Sequence, residues 1–215
     1  MFSLYIFDLD GTLIDSRKDI AESVNRTFRD LGLPELPNET IYGYVGNGVY
    51  RLITDATGSS DPALLDQALK IFEGHYLTHL LDETCLYPGM LELLSQNQHK
   101  RKAVVTNKRI RFTKRIIDGL CPENTFELIL GAEMGLNLKP HPEMILKTLA
   151  QLNVPAEETI IIGDMMNDIH AARAAGIKVC AVSYGFGDEK ELREGNPDFF
   201  ANTVSDLKML FESRK

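Results

Sequence analysis

The sequence predicts an α/β fold in which a Rossmann-like parallel sheet forms the core and an α-helical cap domain is inserted into it. Two observations predict this class. Five short apolar runs alternate with helical patterns, which is typical of parallel strands covered by helices on both faces. The alternation stops once, between Ser16 and Thr84, where ~70 residues show only helical periodicity, although a crossover between parallel strands needs only a dozen or more.

The apolar runs are rich in Ile, Val, Leu or Phe, and each ends at a polar residue or a glycine. Because their apolar character is nearly continuous rather than alternating, we expect strands that are buried on both faces. The predicted strands are Phe2–Asp8, Lys102–Thr106, Phe126–Gly131, Thr159–Asp164 and Lys178–Tyr184.

Helical periodicity predicts four helices in the core and four in the insertion. Pro142 is a favourable first-turn residue, and Gly176 is a typical left-handed cap. The predicted core helices are Met90–Gln98, Arg109–Gly119, Glu143–Leu152 and Asp168–Ala175, and those of the insertion are Asp19–Leu31, Asn38–Tyr44, Asn47–Ala56 and Pro62–Leu81. We therefore predict an α/β core of residues 1–15 and 84–215 and a cap of residues 16–83.

Composition excludes several classes of protein. The chain has 215 residues, of which 44% are hydrophobic and 25% charged, so it is long enough for one well-buried core. A net charge of -8 argues against a broad nucleic-acid surface, and no apolar run approaches the ~20 residues of a membrane span. The N-terminal residues lack the basic region of a signal peptide. We expect a cytoplasmic monomer or homodimer without nucleic-acid or membrane partners.

Cysteine and histidine residues give weak signals. Cys85, Cys121 and Cys180 are far apart and form no CxxC pair, so we expect buried, reduced thiols. His75 and His79 have a spacing that could bind zinc, but they lack the neighbouring glutamate of a metalloprotease helix. A solvated helix face is the favoured interpretation of this pair.

Polar clusters follow several predicted strands. Ligands bind outside the carboxyl ends of the strands in a doubly wound sheet, so we expect these clusters to meet at one edge. The residues concerned are four carboxylates, one hydroxyl and one lysine, namely Asp8, Asp10, Asp164, Asp168, Thr106 and Lys139.

These residue types suit phosphoryl transfer. Clustered carboxylates shift each other's pKa unless a cation lies among them, and oxygen ligands suit Mg²⁺. A remaining carboxylate can act as a nucleophile, while a hydroxyl and a lysine stabilise the phosphoryl oxygens. Each cluster alone has a simpler interpretation, such as a turn, a helix cap or a solvated lysine. A calcium loop starting at Asp8 is excluded, because Leu13 and Asp19 stand where glycine and glutamate are required.

The run Asp8-Leu9-Asp10-Gly11-Thr12-Leu13, with Thr106, Lys139 and Gly163-Asp164-x-x-x-Asp168, resembles the haloacid dehalogenase superfamily of phosphohydrolases. Its four motifs occur in order, and a helical cap after the first motif is typical of one subgroup. Within that subgroup the chain is most similar to the bacterial phosphoglycolate phosphatases. The phrases that carry this similarity are Asp15-Ser16-x-x-Asp19-Ile20, Leu31-Gly32-Leu33-Pro34, Val45-Gly46-Asn47-Gly48, Leu86-Tyr87-Pro88-Gly89 and Val105-Thr106-Asn107-Lys108.

The resemblance implies roles for the matching carboxylates. Asp8 would be the nucleophile that attacks phosphorus and would also touch Mg²⁺. Asp10 would protonate the leaving alcohol and then activate water, with its backbone carbonyl on the metal. Asp164 would complete the metal site, and Asp168 would support the metal or Lys139.

The resemblance also implies substrate contacts. Thr106 and Lys139 would hold the transferring phosphoryl group, together with backbone amides near Leu9, Asn107 and Lys108. The loop Gly46-Asn47-Gly48 would close over the substrate, its glycines allowing backbone amides to approach an anion. An ordinary turn between helices is the alternative interpretation of this loop.

The expected function is a magnesium-dependent phosphatase acting on a small phosphorylated metabolite, with 2-phosphoglycolate as one candidate. A pyrophosphatase, a sugar-phosphate phosphatase, a nucleotide phosphatase and a non-catalytic binding protein are the alternatives. Asp10 argues against dehalogenation, and the absence of histidine from Asp19-Ile20-Ala21-Glu22-Ser23 argues against a mutase. Met165-Met166 departs from the pattern of the superfamily. We expect substrate choice to depend on cap residues such as Tyr44, Asn47 and Tyr50.

Overall fold

The computed structural model describes residues 2–132 and 135–211. Met1, residues 133–134 and residues 212–215 of the predicted core lie outside the described residues. The strands are β1 (Leu4–Phe7), β2 (Ile14–Asp15), β3 (Cys85–Leu86), β4 (Arg101–Arg109), β5 (Leu128–Ala132), β6 (Thr159–Gly163), β7 (Lys178–Val182) and β8 (Phe199–Ala201). The helices are α1 (Arg17–Leu31), α2 (Asn38–Tyr42), α3 (Val49–Thr57), α4 (Pro62–His79), α5 (Met90–Gln96), α6 (Ile110–Leu120), α7 (Glu143–Leu152), α8 (Met166–Ala175), α9 (Glu189–Glu194) and α10 (Val204–Phe211), with a 3₁₀ turn at Ala156–Glu158.

Six strands form one parallel sheet in the order β5-β4-β1-β6-β7-β8. All five predicted strands are present, and β1 lies between β4 and β6. Phe7 at the end of β1 is level with Val104 and Ile162. The predicted α/β fold with a Rossmann-like parallel sheet is therefore confirmed. After β1 the chain builds one half of the sheet and then the other, so the strand order reverses beside β1, where such sheets bind ligands.

Short elements were not predicted. β8 has three residues at the sheet edge, and β2 and β3 have two residues each. α9 and α10 are six and eight residues long. Such segments carry too few residues to display a period, so tertiary packing decides them. The ends of the eight predicted helices differ from the observed ends by two residues or fewer.

Apolar cores lie on both faces of the sheet. Along β1, Tyr5 and Phe7 belong to one core, while Leu4 and Ile6 belong to the other. This division follows from the two-residue repeat of a strand. All four side chains are fully buried, which explains why the strand reads as a continuous apolar run. Helices α5 and α10 cover the first face, and α7 and α8 cover the second.

The predicted cap, residues 16–83, contains helices α1 to α4, and no residue from 17 to 79 is in a strand. α1 packs along α4, and their buried faces include Val24, Phe28 and Phe72. β2 and β3 pair antiparallel, so the chain enters and leaves this helical segment side by side.

Asp19 joins the two connections between the helices and the core. Its carboxylate is buried near the start of α1 and accepts four hydrogen bonds from the returning chain. The Glu83 amide reaches both oxygens at 3.0 and 3.1 Å, and Oδ2 accepts from the amide and hydroxyl of Thr84 at 2.8 and 2.7 Å. One side chain therefore fixes the returning strand to the first helix.

The expectation of buried thiols is right for Cys180 and wrong for Cys85, which is exposed in the two-residue strand β3, while Cys121 is half-buried. All three are free thiols. His75 and His79 each contact an aspartate, Asp30 and Asp82, at 2.7 Å. Among the described residues, no helix combines the length and apolar character needed to cross a membrane.

We expect Asp19→Ala to lower the free energy of unfolding by about 2–4 kcal/mol, because it leaves the buried amide and hydroxyl of Thr84 and the partly buried amide of Glu83 without an acceptor. Urea unfolding measures the change. Glu22→Ala, on the exposed face of the same helix, is the matched control and should cost less than about 1 kcal/mol. Equal losses in the two variants would contradict the structural role of Asp19.

Candidate active site

The carboxyl ends of β1 and β6 bring two aspartates together. Asp8 directly follows β1, and its amide donates to the Ile162 carbonyl at 2.9 Å, so it continues the sheet. Asp164 directly follows β6. Asp168 lies in the first turn of α8 and is fully buried. Ligand oxygens of the three carboxylates all lie within 4.8 Å of one another, and no other such group of histidine, cysteine and acidic side chains is found among the described residues.

Lys139 reaches into this acidic cluster from the loop between β5 and α7. Its side chain is 0% exposed, and Nζ lies 2.9 Å from Asp8 Oδ1 and 2.6 Å from Asp168 Oδ1. Burial by itself lowers the pKa of a lysine, but the adjacent charges of Asp168 and Asp8 raise the pKa of Lys139 above its usual value. Lys139 is therefore a fixed positive charge between two carboxylates.

Asp164 is held by neutral donors. Thr12 Oγ1 donates to Oδ1 at 2.8 Å, and the Phe186 amide donates to Oδ2 at 2.8 Å. Gly11 has a φ of +83°, and a Cβ at this position would overlap the Asp164 carboxylate. Glycine is thus required both by the backbone and by the close approach. Gly185, in the loop after β7, lies against the same carboxylate.

The cluster carries more negative than positive charge. Three buried carboxylates face one ammonium, and burying unpaired charge is costly. Burial raises the pKa of Asp164 well above its usual value, and the charges of Asp8 and Asp168 raise it further. Burial likewise raises the pKa of Asp168 to about 6, against the opposing effect of Lys139. A divalent cation that prefers oxygen ligands fits this donor set.

Asp10 lies outside the three-carboxylate cluster and has other partners. Its Oδ1 accepts from Ser16 Oγ at 2.5 Å, and both oxygens lie 2.9 Å from Lys108 Nζ. Lys108 Nζ also lies 4.6 Å from the centre of the Tyr76 ring, a cation–π distance. The sequence assigned a role only to the backbone amide of Lys108, so its side-chain pairing with Asp10 was missed. The predicted contact between the Asp10 carbonyl and a metal stays a prediction.

Asn107 uses its side chain to organise other backbone groups. Its Oδ1 accepts from the Lys139 amide at 2.8 Å, and its Nδ2 donates to the Lys139 carbonyl at 2.9 Å. Nδ2 also lies 3.2 Å from the Gly46 carbonyl, to which Asn167 Nδ2 donates at 3.0 Å. The end of β4 therefore fixes the main chain of Lys139 and contacts the loop after α2.

The loop of residues 46–48 is docked on the core. Gly46 and Gly48 have φ values of +118° and +87°, which favour glycine. A Cβ on Gly46 would lie 2.9 Å from Met165 Cε, so Met165 packs against this loop. Asn47 is exposed and is not among the residues that line the adjoining cavity.

That cavity lies between the core and the cap helices, next to Asp8. The space open to the centres of water-sized spheres is about 50 Å³, room for a few water molecules. Core residues at its floor are Asp8, Asp10, Thr106 and Lys108, and its apolar walls include Ile20, Val45, Leu52, Phe72, Tyr76 and Phe112. Tyr44 and Tyr50 do not line it, and Tyr50 is 56% exposed. Gly46 and Gly48, which the sequence predicted at the substrate, do line it. The lining residues of the cap helices were missed because the helical period does not reveal which side faces the core.

A charged contact beside the cavity was also missed. Glu73 on α4 forms ion pairs with Arg109 and Arg111, at the junction of β4 and α6. Arg109 lines the cavity as well. Opposite charges 36 or more residues apart give no local signal in the sequence, so only the fold brings them together.

Comparison with known proteins places this site in a family. The sequence profile of the haloacid dehalogenase-like hydrolases matches residues 5–182. The chain belongs to this family. The matched range contains Asp8, Asp164, Asp168 and Lys139.

Two relatives within the haloacid dehalogenase-like hydrolases cover nearly the whole chain. A phosphoglycolate phosphatase from Colwellia psychrerythraea is 39% identical over 211 residues, covering 94% of this chain and 93% of the relative. A phosphoglycolate phosphatase from Aquifex aeolicus is 36% identical, with coverage of 97% and 96%.

The structure is also similar to the crystal structure of a predicted phosphoglycolate phosphatase from Haemophilus somnus. The two superpose with a TM-score of 0.92 at 27% sequence identity, and the match covers 98% of each chain. The predicted family, the resemblance to phosphoglycolate phosphatases and the enzyme class, a phosphatase of the haloacid dehalogenase family, are confirmed.

The raised pKa values predict a pH-dependent response to Mg²⁺. A carboxyl group whose pKa is raised by folding contributes its full stabilisation only below the pKa it has in the unfolded chain. That contribution is lost as the pH rises through the pKa in the folded protein, which is about 6 for Asp168. A divalent cation would bind the ionised carboxylates rather than the protonated ones. We expect saturating Mg²⁺ to raise Tm by about 3–6 °C near pH ~7.5 and much less near pH ~5.

Thermal unfolding at constant ionic strength measures this response. Asp164→Asn should abolish it, whereas Asp118→Asn, an exposed change on α6, should retain it. A Mg²⁺-induced shift of the same size at both pH values would contradict the assignment of the buried carboxylates to a metal.

Proposed function

We propose that the protein is a Mg²⁺-dependent phosphatase that hydrolyses 2-phosphoglycolate to glycolate and phosphate through an aspartyl-phosphate. The observation that carries the proposal is the position of Asp8. Its carboxylate lies at the floor of a small cavity and beside the buried Lys139 ammonium and two further aspartates. Relatives named phosphoglycolate phosphatase, 39% and 36% identical over most of their length, support the choice of substrate.

Asp8 is proposed as the nucleophile. A carboxylate oxygen of Asp8 attacks phosphorus, and the bond from phosphorus to the glycolate oxygen breaks. Asp8 lies in a rigid position because the main chain at this residue still bonds to β6. A nucleophile on a strand end is held more accurately than one on a loop.

Asp10 is proposed as the acid and base. It gives a proton to the departing glycolate oxygen, and its carboxylate then takes a proton from the water that attacks the aspartyl-phosphate. The second attack breaks the bond between phosphorus and the Asp8 oxygen and regenerates the nucleophile. Asp10 lines the same cavity as Asp8, two residues further along the chain.

Thr106, Lys139 and nearby backbone amides are proposed to hold the phosphoryl group. Lys139 is already a buried cation against Asp8, and Thr106 is buried at the end of β4. Fixed donors of this kind stabilise charge that develops in the transition state. Asp8, Asp164 and the Asp10 carbonyl would hold Mg²⁺, with Asp168 orienting Lys139. When bound, Mg²⁺ neutralises negative charge on the phosphoryl oxygens.

Residues 16–83 are proposed to act as a cap on the core of residues 1–15 and 84–215, with hinges near Asp15–Ser16 and Glu83–Tyr87. Eight cap residues already line the cavity, mostly with apolar groups, so a closed cap excludes bulk water during attack by Asp8. The loop of residues 46–48 is docked on Asn107 and Asn167. It is proposed to open and close with the cap.

The size of the cavity limits the substrate. About 50 Å³ of space for water-sized spheres suits a compact phosphomonoester rather than a nucleotide. A sugar phosphate would require a more open position of the cap. Pyrophosphate has as many non-hydrogen atoms as 2-phosphoglycolate, so the size of the cavity does not distinguish these two.

We expect phosphate release from 2-phosphoglycolate to exceed that from pyrophosphate, glucose 6-phosphate and a nucleoside monophosphate by at least ~10-fold in kcat/KM. Excess EDTA should abolish release, and added Mg²⁺ should restore it. Activity confined to another compound would keep the phosphatase chemistry and reject the substrate. Folded, Mg²⁺-loaded protein that hydrolyses none of the compounds would favour a binding protein.

We expect Asp8→Asn to lower kcat by ~10⁴-fold or more, since an amide cannot form the acyl-phosphate. Asp66→Asn, an exposed change on the cap helix α4, is the control and should leave kcat within about twofold. Phosphate release by Asp8→Asn at the wild-type rate would exclude Asp8 as the nucleophile.

A further inference from the structure

Lys108 occupies an unusual position, because a buried lysine neutralises the residue proposed as the acid and base. Its side chain is 6% exposed, and that of Asp10 is 12% exposed. The ammonium lies 2.9 Å from both carboxylate oxygens, and the Ser16 hydroxyl also donates to Oδ1. Both oxygens of Asp10 are therefore engaged. Asp10 is free to turn toward a leaving-group oxygen when Lys108 has been given another partner.

The surroundings decide what that partner must be. Ile20, Val45, Leu52, Phe72 and Phe112 line the cavity with apolar surface. A buried ammonium that loses its carboxylate in such surroundings is strongly disfavoured. The exchange therefore requires an anion delivered into the cavity itself.

Tyr76 supplies a second indication of an anion. It is 1% exposed on the cap helix α4 and lines the cavity. The Lys108 ammonium lies beside its hydroxyl and can only donate, so among the described residues the hydroxyl proton has no acceptor. Buried hydroxyl groups without a partner are rare and call for an explanation. The ring of Tyr76 already lies 4.6 Å from Lys108 Nζ.

We propose that Lys108 and Tyr76 together bind the carboxylate of the substrate, and that this binding releases Asp10 for catalysis. The Lys108 ammonium exchanges the Asp10 carboxylate for the substrate carboxylate, so it stays paired throughout. The Tyr76 hydroxyl donates to the same group. Lysine suits this exchange because its charge lies at the end of a flexible stem.

Specificity follows from the exchange. In 2-phosphoglycolate the carboxylate is two bonds from the ester oxygen, so it enters the same small cavity as the phosphoryl group. Ethyl phosphate has a similar chain length but no second anion, and it leaves Lys108 on Asp10. Since Tyr76 belongs to the cap and Lys108 to the core, the substrate carboxylate also joins the two. The inference rests on the proposed function and names the residues that select its substrate.

The test compares kcat/KM for 2-phosphoglycolate and ethyl phosphate in matched variants. We expect the wild type to favour 2-phosphoglycolate by at least ~100-fold, because ethyl phosphate leaves Lys108 paired with Asp10 and the Tyr76 hydroxyl without an acceptor. Lys108→Gln should reduce this ratio by at least ~30-fold and Tyr76→Phe by about tenfold. Lys108→Arg should retain part of it. Lys114→Gln, on the exposed face of α6, is the control and should keep the wild-type ratio.

A second measurement separates substrate selection from a general loss of structure. Added acetate should accelerate ethyl phosphate hydrolysis by the wild type, because it supplies the missing anion, and should have no such effect on Lys108→Gln. An unchanged ratio in both Lys108→Gln and Tyr76→Phe would overturn the proposal and leave the phosphatase function intact. If Lys108→Gln does not fold, an unchanged ratio in Tyr76→Phe together with no effect of acetate would overturn it. A wild type that hydrolyses neither compound would reject the proposed function itself.

Discussion

The structure depends on one ammonium group, that of Lys139, held between Asp8 and Asp168 with no exposure to solvent. A buried charge of this kind is tolerated only with close and well-oriented partners. Three separate segments must therefore meet at the carboxyl edge of the sheet. β1 brings Asp8, the start of α8 brings Asp168, and Asn107 at the end of β4 fixes the main chain of Lys139.

Excess negative charge connects this arrangement to chemistry. Lys139 balances only one of three carboxylates, and Asp164 relies on Thr12 and a backbone amide. The fold thus keeps carboxylates where they would repel one another in the absence of a cation. Such preorganisation stabilises an incoming metal and phosphoryl group without reorganisation during the reaction. The apolar cap residues above the site exclude water and so strengthen the electrostatic interactions of these charged groups.

Sequence patterns predicted the sheet and the acidic edge because both depend on local signals. The apolar runs marked β1, β4, β5, β6 and β7, and the polar residues after them marked the site. Contacts that depend on the direction of a side chain could not be predicted from the sequence. Nothing in the sequence shows that Lys108 turns toward Asp10, that Phe186 donates to Asp164, or that Tyr76 rather than Tyr50 faces the cavity. β8 and α9 were too short to display a period, and their formation depends on packing against β7 and α8.

The central claim is that Asp8 carries the phosphoryl group during turnover. Rapid acid quenching of the Mg²⁺-loaded protein with 2-phosphoglycolate, followed by peptide mass spectrometry, tests it most directly. The account predicts one added phosphoryl group on the peptide that contains Asp8, located on Asp8 itself and absent from the Asp8→Asn variant. A phosphoryl group on any other residue, or phosphate release at the wild-type rate without a phosphorylated peptide, would contradict it.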